Sequence, residues 1–171
     1  MRPRTFAREI AFQVLYRDDL NPQPAPAAAG DALLEQGRAT RELMEFVRQL
    51  AELADRDDGG PDNEGELFSQ WLRSPALVEF TRSLVAGTRE HGEDLDRRIG
   101  LAAVNWRIER MAATDRNLLR LGAYELLFTE TPAKVAIDET VELAKRFGGA
   151  QSAQFVNGIL DNLMRQKENV Q

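Results

Sequence analysis

Arg2, Arg4 and Arg8 stand at and just before the start of the first helix-like stretch, with Arg17 near its end. A guanidinium is a planar fork of donors that fits phosphate oxygens and base edges and stacks on unpaired bases. Arg4 and Arg8 are four apart and share a helix face, opposite or flanking the Phe6/Ile10 stripe. A phosphate-binding row is one reading of these residues, and a solvated helix face is the plainer one. Phe147, ahead of Gly148-Gly149, is an aromatic at a turn that could stack on a base, or simply close the core. Trp106 and Arg110 are four apart, which would let the arginine lie over the indole in a mainly structural role. Tyr16 could be core, with its hydroxyl at the rim. Asp115 falls in the first turn of a helix, where the dipole favours an acid.

Little else in the chain could do chemistry. There is no cysteine and a single histidine, His91, which removes disulfides, thiol nucleophiles and cysteine or histidine metal clusters. No metal or cofactor is expected. No G-x-G-x-x-G follows a strand pattern, and no G-x-x-x-x-G-K-[ST] occurs. The N-terminus MRPRTFAREIAFQVLY has no signal-peptide core, and no apolar run reaches membrane-spanning length. A soluble protein of the cytoplasm, without membrane contact, is the expectation.

The net charge of −6 argues at first against nucleic acid. Its distribution changes that reading. Residues 31–70 hold eleven acids and four arginines, residues 1–30 carry +1, and 71–171 balance at fourteen against fourteen. The excess is one local segment, which leaves room for a basic patch elsewhere.

The elements that must position these residues are helices. Phe6, Ile10, Val14 and Leu15 mark a helix from about Thr5 to Leu20, ended by Asn21-Pro22. Leu33 to Ala54 reads as a second, with Leu43, Met44, Val47, Leu50 and Ala54 on one face. The Pro/Ala stretch at 21–31 and the acidic DRDDGGPDNEG at 55–65 read as extended loops. Ser74-Pro75 should start a helix running through Phe80, Leu84, His91, Leu95 and Ile99 to Asn105-Trp106. Thr114-Asp115 should start the next, apolar nearly all round and therefore central. Thr131-Pro132 stops it. Helices from about Ala136 to Phe147 and from Ser152 to Gln166, with Ser152 as cap, complete an all-α chain. Asn157-Gly158 costs helix stability, which points to close packing at the glycine and an asparagine bond to a neighbouring backbone.

The string LRLGAYEL, the segment VAIDETVELAKRFG and the run SAQFVNGILD, in this order and spacing within residues 118–161, resemble the NusB family of bacterial transcription antitermination factors. The resemblance implies two small three-helix bundles packed crosswise in a single domain, with subdomains at about 1–73 and 74–171, and makes the loops at 21–31 and 55–65 insertions, the latter dispensable for binding. It also implies a non-catalytic function. Members bind boxA RNA, single-stranded in the leaders of ribosomal RNA operons, together with NusE, a small ribosomal subunit protein. The bound pair joins other Nus factors on the elongation complex and promotes read-through by RNA polymerase.

Carried over residue by residue, the resemblance gives RNA contacts to the arginine-rich start, Arg2, Arg4 and Arg8, and to the turn with Lys145, Arg146, Phe147 and Gln151. It places Tyr16 and Asp115 near the partner surface. Here the N-terminal row is thinner, interrupted by Pro3, Thr5 and Phe6. Family members often carry an acid where this chain has Gln151, so the neutral side chain should tighten RNA binding.

Three rivals stand beside this reading. Some RNA cytosine methyltransferases carry a NusB-like domain, but the short stretch after FVNGILD and the missing nucleophile argue against catalysis. AKRFGGAQSAQFVNGIL has the outline of a DNA-binding helix-turn-helix, yet its second helix offers few side chains to read bases. A dimerising bundle also fits, because some family members form homodimers that could cover the RNA surface.

Overall fold

The computed structural model describes residues 2–22, 41, 43–49 and 64–169 of the 171-residue chain. The described residues are helical with connecting turns, as an all-α reading requires. Most of the inserted stretches 21–31 and 55–65, and much of the expected Leu33–Ala54 helix, lie outside them. Met1–Ser83 and Leu84–Gln171 form two compact units.

In the first unit, α1 (Pro3–Leu20) opens on Arg2 in an extended conformation, with Pro3 in its first turn. Proline fits there because its missing N–H has no intrahelical partner to lose. Phe6, Ala7, Ile10, Ala11, Val14 and Leu15 are buried, as the apolar spacing requires, and Phe12 with them. Residues 43–49 are helical (α2) and bury Leu43 and Val47. A nine-residue helix, α3 (Glu64–Leu72), packs on α1 where the sequence pattern gives no helix. Its Phe68 ring meets Phe6 edge-on at 6.2 Å, and its Trp71 is fully buried. That indole donates to the Thr81 hydroxyl at 2.9 Å, which donates in turn to the Leu77 carbonyl at 3.0 Å. A buried indole N–H left unpaired costs about 1–3 kcal/mol, so Thr81 is what lets the tryptophan sit in the core.

Ser74 begins α4 (Pro75–Glu90) as expected. Its carbonyl accepts the amides of Leu77 and Val78. The helix then breaks at His91 instead of continuing. His91 is the N-terminal boundary of α5 (Gly92–Ala102), with ψ near 9°, and its ring stacks on Phe128 at 4.0 Å. Tyr124 covers Gly87 so closely that any Cβ there would collide with the phenol ring. These contacts fix the path of the chain at a point where the apolar periodicity alone runs straight through.

A 3-10 turn (Ile108–Arg110) leads to α6 (Ala113–Phe128). The boundary residue is Ala112, so Thr114 is not the cap; Thr114 and Asp115 both lie inside the first turn. Leu118, Leu119, Leu121 and Leu126 are buried, and α6 packs against α5, α7 (Ala133–Phe147) and α8 (Ser152–Glu168). Gly122 makes this central position workable, since a Cβ would lie 2.5 Å from the Thr140 hydroxyl and 3.0 Å from Leu160. Polar ties bind the same elements. Arg120 grips Asp96 with two 2.7 Å bonds between α6 and α5, and the Asn162 amide donates to the Ala102 carbonyl at 3.2 Å between α8 and α5.

Candidate nucleic-acid interface

Within the first unit, the opening turns of α1 bring Arg4 and Arg8 over one ring. Their guanidinium carbons lie 5.1 and 5.2 Å from the centroid of Phe80, a half-buried residue of α4. The i, i+4 spacing puts both on one face, as expected, but their environments differ. Arg2 and Arg4 are exposed, while Arg8 is only 4% exposed and donates from Nη1 to the Arg4 carbonyl at 3.4 Å. Arg8 therefore lies in the packed layer, and Arg2 and Arg4 present the accessible charge. Arg17 lies 4.7 Å from the Phe46 ring centroid and 3.5 Å from Asp18. Tyr16 is half-buried, 5.9 Å from Phe12.

Within the second unit, the α7–α8 turn exposes Lys145, Arg146 and Gln151 and half-buries Phe147. Lys145 pairs with Glu142 at 2.5 Å. An exposed pair of this kind contributes about 0–1 kcal/mol and opens readily to a competing anion. Arg146 sits 5.4 Å from the Phe147 ring centroid. Gly148 ends α7, with its N–H on the Ala144 carbonyl at 2.9 Å. Its backbone is extended, so the demand for glycine is steric: a Cβ would strike Ser152 and lie 2.6 Å from the Ala144 oxygen.

Ser152 is not the cap of α8. Gln151 holds that place, and the buried Ser152 hydroxyl accepts the Gly149 amide at 2.9 Å, which locks the turn. Gln151 makes no side-chain cap bond. Its carbonyl accepts the Phe155 amide at 3.0 Å, which ties the turn to the first turn of α8.

Asp115 is half-buried, and its Oδ1 is enclosed without a hydrogen-bond partner among the described residues. Trp106 does not take Arg110 over its indole. The 3-10 turn between them replaces the helical spacing on which that contact depends, and the indole instead stands edge-on to Phe155 at 5.4 Å. Two residues that pattern reasoning gave to core or scaffold, Phe80 and Phe155, thus back the exposed groups. The signal that could have singled out Phe80 was its place near the start of α4 with two arginines of α1 to cover.

Burial, then the nearby Glu90 and Glu125 carboxylates, push the Tyr124 phenol above the ordinary value. Asp94 moves the other way, held down by hydrogen bonds from Arg98 and Arg97. Neither lies among the exposed cations. No set of three or more histidine, cysteine or acidic side chains among the described residues is disposed to hold a metal, and no described helix is long and apolar enough to cross a membrane.

Residues 5–165 match the NusB family. A curated relative from Desulfotalea psychrophila, named transcription antitermination protein NusB, is 41% identical over 162 residues, covering 94% of each chain. The chain belongs to the NusB family. Members of NusB are antitermination factors and not enzymes. Among solved structures, NusB of T. maritima superposes with a TM-score of 0.63 at 26% identity, covering 99% of this chain and 98% of that one. A crystal structure of the antitermination factors NusB and NusE in complex with dsRNA is similar with a TM-score of 0.61 at 26% identity, covering 97% and 98%.

Proposed function

We propose that this chain is a non-catalytic, cytoplasmic antitermination factor that binds single-stranded boxA RNA in the leaders of ribosomal RNA operons, jointly with NusE. The supporting observation is that each unit places exposed cations beside an aromatic ring. Arg2 and Arg4 lead α1, with Arg4 over Phe80, and Lys145 and Arg146 end α7, with Arg146 by Phe147. Charge on such residues neutralises phosphates and releases counterions, while rings stack on unpaired bases. Gln151 adds donors without the repulsion an acid would bring. In this arrangement Arg8 is a positioning residue: it holds the first turn of α1 against Phe80 instead of reaching the RNA.

Tyr16 and Asp115 are assigned to the NusE surface. Both side chains are only half-buried, which leaves each an accessible edge and supports that assignment. NusE and RNA each raise the affinity for the other, since binding free energies couple reciprocally. The ternary complex then joins other Nus factors on the elongating polymerase and carries it through terminators. Self-association, if it covers the same surface, competes with this assembly.

The test is an anisotropy titration of labelled boxA RNA with the protein alone and with NusE. Binding that NusE tightens, with weaker binding to duplex RNA and duplex DNA of the same sequence, is the expected outcome. Equal affinity for the duplexes overturns the single-strand reading.

A further inference from the structure

The most exposed large apolar side chains of the described residues cluster beyond the sites above: Val104 is 71% exposed, Leu101 64% and Trp106 55%. They follow one another from the end of α5 into the turn toward the 3-10 segment. Asn105 in that turn has φ 71°, in the left-handed region that asparagine tolerates better than most residues. The Trp106 amide closes the turn on the Ala103 carbonyl at 3.1 Å. The backbone is thus bent to hold an indole outward. The indole meets Phe155 in an edge-to-face contact, 5.4 Å between centroids and 71° between planes.

Phe155 connects this ledge to the α7–α8 turn, because its amide is bonded to the carbonyl of Gln151. Three residues further along the same face of α8 is Gly158, exposed, with nothing within 4 Å of where a Cβ would be. Glycine weakens a helix interior, and close packing within the protein is not its reason here. The glycine leaves the surface of α8 beyond Phe155 open to approach from outside. The exposed Arg107 and Arg110 follow Trp106 closely in the chain, with the exposed Glu109 between them. An exposed indole with arginines close by in the chain, linked through Phe155 to a turn that carries Lys145 and Arg146, suits a nucleic acid base better than an apolar protein surface.

We propose that Trp106 is a base-stacking residue of the RNA site, extending it from the α7–α8 turn along Phe155 and Gly158. The inference rests on the RNA-binding reading above. Base stacking on an aromatic side chain is sequence-tolerant, so Trp106 would anchor a nucleotide flanking the stretch that is read, and not discriminate its identity.

The chain has two tryptophans. Trp71 is fully buried on Thr81, so a change of indole fluorescence when RNA is added reports Trp106. A single-stranded boxA-type oligonucleotide should quench the wild-type protein. W106A should bind that RNA about tenfold more weakly and W106F within about threefold of wild type, both with unchanged melting, NusE affinity and oligomeric state. W106A binding RNA as wild type, or an unquenched wild-type complex, overturns the proposal. So does a W106A that loses NusE or changes its oligomeric state while its RNA affinity stays, which would make the ledge a protein-docking surface. R4E separates the two levels: if it weakens RNA binding and W106A does not, the RNA reading stands and this inference falls. If wild-type protein binds no RNA, both fall.

Discussion

The first turns of α1 and the α7–α8 turn carry the same chemistry, cations beside a ring, yet they are built differently. In α1 the deeper arginine is almost fully enclosed and the ring belongs to another helix, so the cluster is part of the unit's packing. In the α7–α8 turn Lys145 and Arg146 are exposed and the ring is the next residue in the chain. There the packing is done by Gly148 and Ser152 beneath the cations. The difference teaches that an arginine row read from sequence mixes scaffold with site. Burial, not spacing, separates them.

The largest expected effect breaks this contrast. Arg8→Glu puts an acid where an enclosed guanidinium was, and should cost about 3 kcal/mol or more of folding stability, read as a lowered urea midpoint. From the family resemblance, which gives Arg8 an RNA contact, the same substitution would be expected to cause a large loss of RNA affinity with folding intact. A normal urea midpoint in the variant would return Arg8 to the exposed face. Next comes Arg4→Glu, on the exposed neighbour. It should leave the midpoint within about 0.5 kcal/mol and weaken RNA binding, lowering the salt slope by about one. An unchanged slope would remove Arg4 from the site.

A smaller effect sharpens the other side. Gln151→Asp should weaken RNA binding several-fold, through repulsion of phosphate at an exposed position that makes no cap bond; unchanged or tighter binding contradicts the role given to the neutral side chain. The smallest effect lies away from both clusters. With its phenol raised by burial, Tyr124 contributes stability that is intact below the ordinary tyrosine value and lost as pH rises through its ionisation. Tyr124→Phe should flatten that alkaline decline in a denaturation series. An unchanged decline would assign it to other groups.

Much of this architecture is legible in the residues. The 118–161 block carries the punctuation that places α6, α7 and α8, because Thr131-Pro132 and Gly148-Gly149 are strong local breaks. What escapes is set by tertiary contact. Helix α3 follows an acidic stretch and is only nine residues long, and its Trp71 becomes core through a hydroxyl ten residues away. The break at His91 depends on rings from α6.

Asn157-Gly158 looked like a packing device. In the structure the asparagine amide reaches the Asp161 carboxylate at 3.1 Å, and the glycine faces open space. For the sites, residue type identified the candidates, but the enclosure of Arg8 involves Phe80, far along the chain, and the exposure of Trp106 follows the turn at Asn105.

The most direct measurement is the RNA affinity of Arg4→Glu beside wild type, titrated with labelled single-stranded boxA RNA in the presence of saturating NusE. The account predicts tight, salt-dependent binding by wild type and at least about tenfold loss in the variant, with identical melting curves. Equal affinities, or no binding by wild type, would contradict it.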